Sequence, residues 1–137
     1  MANLLYTPFV NSYLTGGANA VDFDTDDIRV ILIDVADYTL DATNHDFLDD
    51  IPGAARVATV ALTGESVTGR VFDANDAVFT SVTGDVSEAL VIYKHTGTEG
   101  TSRLIAYIDT ATGLPVTPNG ADITVQWDNG ANKIFTL

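Results

Sequence analysis

Ile28-Arg29-Val30-Ile31-Leu32-Ile33-Asp34-Val35 decides the fold class. The run is rich in β-branched residues and apolar on both of its faces. A half-buried strand alternates apolar and polar side chains, whereas a strand apolar throughout is covered on both sides. Residues 28–35 therefore predict a central strand. Arg29 and Asp34 interrupt the run, and it is far too short for a membrane-spanning helix.

Further strands follow downstream. Residues 56–63 (Arg-Val-Ala-Thr-Val-Ala-Leu-Thr) read as the next one, punctuated by Gly64 and Glu65. Residues 66–72 read as one shorter strand anchored by Val67 and Val71, and residues 77–82 as another, closed by Thr83-Gly84-Asp85. Residues 89–94 and 103–108 look like twins, each apolar with a Tyr near its end. The polar segment 95–102, with two glycines, joins them as an antiparallel pair. Residues 123–127 alternate strictly. Asn129-Gly130 suits a turn, and residues 133–137 return, so a terminal hairpin is expected.

Helix is scarce. Residues 8–14 suit a turn or two, with Thr7 as N-cap, Pro8 at the first helical position and Gly16-Gly17 beyond. Residues 44–51 suit another, capped by Thr43 or Asn44 and stopped by Pro52-Gly53. Many short strands with turn residues between them predict an all-β fold: a single-domain antiparallel β-sandwich or barrel-like fold with one or two short helices. Residues 1–20 are expected to form an N-terminal arm and residues 21–137 the β-sandwich domain.

The chain has 137 residues, enough for one ordinary domain, and 46% of them are hydrophobic, enough to build its core. It has no Cys, which excludes disulfides, thiolate metal sites and cysteine nucleophiles. Nineteen acidic residues against six basic ones give a formal net charge of −13. The bases, Arg29, Arg56, Arg70, Lys94, Arg103 and Lys133, are scattered. A nucleic-acid binder needs a basic stripe to neutralise phosphates, so neither nucleic acid nor an anionic membrane is expected as partner. The opening residues, Met1 to Pro8, lack the basic and apolar regions of a signal peptide.

The search for chemistry gives little. Asp22, Asp24 and Asp26 alternate as the first ligands of a calcium loop would. The EF-hand template then fails, because Asp27 holds the glycine position and Ile33 that of the bidentate glutamate. The expectation is a solvated acidic turn and no metal, with this trio the weak calcium candidate. Asp73-Ala74-Asn75-Asp76 reads the same way. His45 lies among Asp41, Asp46, Asp49 and Asp50 and suggests a carboxylate–histidine unit with Asp46. No serine elbow or zinc-ligand spacing accompanies it or His95. Residues 113–120 (Gly-Leu-Pro-Val-Thr-Pro-Asn-Gly) form a rigid turn without the lysine and helix of a phosphate cradle. Trp127, Tyr93, Tyr107, Phe79 and Phe135 fall within strand runs and are expected in the core rather than on a sugar platform. No catalytic residue and no cofactor is expected.

Two groups of residues carry a resemblance. Asp24 to Asp34, Asp37-Tyr38-Thr39 and His45-Asp46-Phe47-Leu48-Asp49-Asp50-Ile51 form the first; residues 87–94, 103–109 and 114–120, with the close at 123–127, Asp128-Asn129-Gly130 and Lys133-Ile134-Phe135, form the second. Together they resemble small β-rich structural proteins of the virion or head region of tailed bacteriophages, from about Asp22 onward. The resemblance implies a non-catalytic structural module located in a virion. The first expectation is a capsid decoration (cement) protein on the shell surface. Its partners would be the major capsid protein or other virion proteins, with copies forming a homo-oligomer, by analogy a trimer. The alternatives are a tail, neck or fibre-base component and, third, a carbohydrate-binding adhesin module or small glycan hydrolase. The uncharged segment 2–20 carries Leu4, Leu5, Tyr6, Phe9, Val10, Tyr13 and Leu14 outside the strand pattern, and these are the expected interface residues.

Overall fold

The computed structural model describes residues 3–137. Its strands, in chain order, are β1 (Leu4–Leu5), β2 (Ile28–Ile33), β3 (Arg56–Ala61), β4 (Ser66–Thr68), β5 (Val71–Asp73), β6 (Ala77–Phe79), β7 (Ala89–Lys94), β8 (Leu104–Ile108), β9 (Ile123–Val125) and β10 (Phe135–Thr136). One helix, α1 (Thr7–Thr15), joins them. The chain is all-β and sandwich-like, with every strand pairing antiparallel in three sheets.

The largest sheet has the order β1-β8-β7-β2-β3. β2 is an interior strand between β7 and the edge strand β3, with Val30 opposite Ile92 on one side and Val60 on the other. Every residue of β2 except Arg29, of β7 except Lys94 and all of β8 is buried. Alternate side chains point to opposite faces, so both faces of these three strands are covered. β2 stops where Asp34 turns the chain: its Oδ1 accepts the Ala36 N–H at 2.8 Å. β7 and β8 are the twin strands, paired Ile92 to Ala106.

Four expectations change. Residues 66–72 are not one strand but the hairpin β4–β5, because Gly69 adopts φ 66 and reverses the chain with Arg70. The terminal hairpin does not form. β9 pairs with β6 and β10 with β5. Trp127 is tied by its main-chain N–H to Asp76 Oδ1 and by its indole N–H to the Asn75 carbonyl, both at 3.0 Å. In the turn that follows, the left-handed residue is Lys133 (φ 49) rather than Gly130. Phe135 then joins rings of Phe9, Phe23 and Phe72 at centroid distances of 6.4, 5.7 and 5.3 Å. Burial of that ring outweighs the local preference of Asn129-Gly130 for a tight hairpin.

Residues 44–51 form no α-helix. Asp41 Oδ1 takes the Thr43 and Asn44 N–H groups, Asp50 Oδ2 takes those of Asp46 and Phe47, and only a 3-10 turn, Leu48–Asp50, results. Carboxylates that capture nearby amides favour turns over helix. At α1 the N-cap is Tyr6 rather than Thr7, with no side-chain cap. Two amides at its start are met from elsewhere in the fold, Tyr6 N–H by the Ile105 carbonyl and Thr7 N–H by that of Ala42.

Candidate contact surface

The segment 1–20 is no free arm over its described residues. Leu4 and Leu5 form β1 and pair with Tyr107 and Ala106 at the sheet edge. Tyr6 and Phe9 are fully buried and Val10 is half-buried. Five of the seven expected interface residues thus pack on their own chain. Tyr13 and Leu14 stay largely open, at 51% and 76% exposed, although the Tyr13 ring lies 6.3 Å from that of Phe9. The reason lies in helical spacing. Phe9 and Ser12, three apart, share the face turned to the core, while Val10, Tyr13 and Leu14 share the other. The helix is apolar on two faces and only one is covered. Gly16, at φ 63, ends it, with the Gly17 N–H returning to the Ser12 carbonyl at 3.0 Å.

The uncovered face borders an apolar groove of about 690 Å³. Val10, Tyr13 and Leu14 form one wall; Val21, Phe23, Phe72 and Phe135 lie beneath; Val67, 45% exposed, stands on the opposite side. Val67, Phe72 and Phe135 are cross-strand neighbours on β4, β5 and β10 and therefore share one sheet face. Asp22, Asp24 and Arg70 line the groove too. Five of the six bases pair with acids: Arg29 with Asp27 (2.7 Å), Arg56 with Glu99 (2.6 Å), Lys94 with Asp26 (2.9 Å), Lys133 with Asp73 (3.7 Å) and Arg103 with Asp46 (3.9 Å). Arg70 has no acidic partner among the described residues, and neither Asp22 nor Asp24 has a basic one. The Arg29 guanidinium hydrogen-bonded to Asp27 holds that carboxyl below the ordinary range, and Arg56 does the same for Glu99.

The calcium candidate is used internally. Asp22 Oδ1 accepts the Asp24 N–H at 3.0 Å, Asp26 Oδ2 accepts the Asp22 N–H at 2.8 Å, and Asp26 also pairs with Lys94. The carboxylates that do converge, within 4.8 Å, are those of Asp34, Asp37 and Asp85, which chain spacing does not reveal. The His45–Asp46 unit does not form. His45 Nδ1 accepts the Asp41 N–H at 3.3 Å and faces the Tyr38 hydroxyl at 2.8 Å, while Asp46 turns to Arg103. Burial, with Asp50 nearby, raises the Asp46 carboxyl. Phe79, Tyr93, Tyr107 and Trp127 are buried and Phe135 half-buried, so these five make no exposed ring platform. No protein-family model matches the chain, and no curated protein is significantly similar to it.

A second concavity, of about 760 Å³, is polar. Asn3, Gln126, Asn129 and Asn132 bring amides to it, and Asp76, Asp128 and Lys133 bring charge. Asp76 is partly committed, since its Oδ1 holds the Trp127 N–H.

Proposed function

We propose that the protein is a non-catalytic structural component of a tailed-phage virion, a capsid decoration protein that stabilises the shell from its outer surface. The observation that carries the reading is the uncovered apolar face of Tyr13, Leu14 and Val67 over its groove, on a chain of net charge −13. A highly charged surface favours solubility, so a contiguous apolar patch on it marks a place for another macromolecule. The resemblance of residues 24–34, 37–39 and 45–51, and of the stretches from 87–94 to 133–135, to small virion proteins supports that setting. Binding across neighbouring shell subunits adds free energy to the assembled state alone, which is how a decoration protein stabilises without chemistry.

The test is the copy number relative to the major capsid protein in purified particles, by mass spectrometry. A ratio near that of the shell subunits is expected. A ratio lower by an order of magnitude moves the protein to the neck, tail or fibre base, and absence from particles removes the virion reading. The polar concavity favours a second reading, a carbohydrate-binding module, because amides and carboxylates are the groups that recognise sugar hydroxyls. A glycan array without signal removes it.

A further inference from the structure

The polar concavity just past β9 is lined by side chains that the fold holds by one atom and leaves open at another. Asn3 Oδ1 accepts the Asp109 N–H at 3.1 Å and the Thr110 hydroxyl at 3.0 Å. The main-chain donor fixes which end of that amide is oxygen, and the NH2 end has no partner among the described residues. Asn132 Oδ1 accepts the Thr136 hydroxyl at 3.2 Å, and its NH2 is likewise left over. Asp76 Oδ1 takes the Trp127 N–H and Asp128 Oδ1 the Gly130 N–H, both at 3.0 Å, so each carboxylate keeps its second oxygen. The side chains of Gln126 and Asn129 make no hydrogen bond among the described residues. Trp127, pinned by its main-chain and indole N–H groups, steadies Gln126 and Asp128, the exposed residues on either side of it.

We infer that this concavity is a binding site for a neutral saccharide, held edge-on through its hydroxyls rather than by ring stacking. The inference rests on the carbohydrate-binding reading above and gives that reading its site and its class of sugar. The leftover groups supply the argument. An amide NH2 only donates and a carboxylate oxygen only accepts, whereas a sugar hydroxyl does both at once. A concavity that offers both kinds of group fits a ligand whose polar groups each need both. A phosphate or carboxylate ligand would find donors but meet Asp76 and Asp128, which lack basic partners among the described residues, on a chain of net charge −13. An ammonium ligand would find the carboxylates and leave the amide donors unmet.

Ile108, Ala111 and Ile134 bring apolar atoms to the same lining, against which the C–H edges of a sugar pack. The volume of about 760 Å³ lies within the usual range for small-molecule sites. The concavity and the apolar groove share no lining residue, so a shell contact at one leaves the other open to a saccharide.

The test uses the intact protein, labelled with nitrogen-15 and titrated with maltotriose, cellotriose and chitotriose, with trigalacturonate as the acidic counterpart. At least one neutral trisaccharide should give saturable shifts at the side-chain amides of Asn3, Gln126 and Asn132, and trigalacturonate should bind at least about tenfold more weakly. Asn132→Asp keeps the oxygen that holds Thr136 and turns the spare donor into an acceptor. Gln126→Glu does the same at a side chain that no described contact uses. Both variants should fold as the wild type does and bind the trisaccharide at least about tenfold more weakly. Shifts confined to another surface, or unchanged affinity in both variants, overturn this site while the carbohydrate-binding reading stands. Equal binding of trigalacturonate overturns the neutral class. The same shifts with capped trialanine make a peptide main chain the occupant and overturn the assignment. No saturable shift with any of the neutral trisaccharides overturns it too, and the glycan array then decides whether the wider reading falls with it.

Discussion

Tyr6, Tyr38 and His45 form a hydrogen-bonded chain that runs from the core to the acidic loop at Asp41. The two hydroxyls lie 2.9 Å apart, and Tyr38 lies 2.8 Å from His45 Nδ1. The Asp41 N–H can only donate to that nitrogen, so Nδ1 acts as acceptor and the proton of the ring sits on Nε2. The order Tyr6 to Tyr38 to His45, each hydroxyl donating to the next group, then follows. Burial pushes the Tyr6 phenol well above its ordinary range and pushes Tyr38 up to about 12. The folded state therefore holds these protons more tightly than the unfolded state, whose phenols ionise near 10. Stability from this pair is complete below that pH and is lost as pH rises through the folded value. The slope approaches about 1.4 kcal/mol per pH unit for each phenol. An alkaline titration followed by tyrosinate absorbance should show Tyr6 silent and Tyr38 ionising only as the pH nears about 12 in the folded protein, and both ionising at once when denaturant is added above pH 10. Normal titration of every phenol in the folded state would contradict the chain.

At the scale of elements, the large sheet and the small one have different foundations. β2, β7 and β8 are buried along nearly their whole length. β4 is wholly exposed, and β5 and β10 hold to the core through Phe72 and Phe135. Phe135→Ala removes three ring contacts at a half-buried site and should cost about 2–4 kcal/mol, less than a fully buried ring. The loss should be local. Amide exchange at Phe72 and its neighbours is expected to speed up markedly, while the amides of Val30, Ile92 and Ala106 keep the protection of global unfolding. The same contrast explains what the sequence makes legible. A strand buried on both faces must be apolar at consecutive positions, which is why Ile28–Ile33 and Ala89–Lys94 can be read directly. The split of 66–72 into two strands turns on one glycine inside a plausible run. The destination of residues 133–137 depends on a cluster of rings from Phe9, Phe23 and Phe72, far apart in the chain, which no local pattern records. The candidate contact surface is half legible. The apolar character of α1 is plain in the sequence, but which of its residues face outward depends on where β8 and the ring cluster hold it.

For the whole molecule, two properties pull in opposite directions: a net charge of −13, which opposes the approach of like-charged molecules, and an exposed apolar patch of Tyr13, Leu14 and Val67, the candidate contact surface. If that patch served the fold, replacing its most exposed member would destabilise the protein. Leu14 is 76% exposed at the end of α1, and its removal uncovers little of the core. Leu14→Gln keeps a good helix former of similar length, so the melting temperature should stay within the effect of about 0.5 kcal/mol usual for surface changes. Binding is another matter. An anchor side chain at the centre of a desolvated contact costs on the order of 1–2 kcal/mol or more when truncated or made polar, which lowers affinity by tenfold or more. Sedimentation of the variant with purified capsids lacking the protein should therefore show at least about a tenfold loss of retention, with unchanged thermal unfolding. Raising the salt concentration should separate the contributions. Any attraction between a net charge of −13 and basic groups on the shell is screened, so wild-type association slows to the extent that it is electrostatic, while the deficit of the Leu14 variant, being apolar in origin, persists at every salt concentration. A variant that melts early would return Leu14 to the core, and one that binds as tightly as wild type would move the contact surface elsewhere on the molecule.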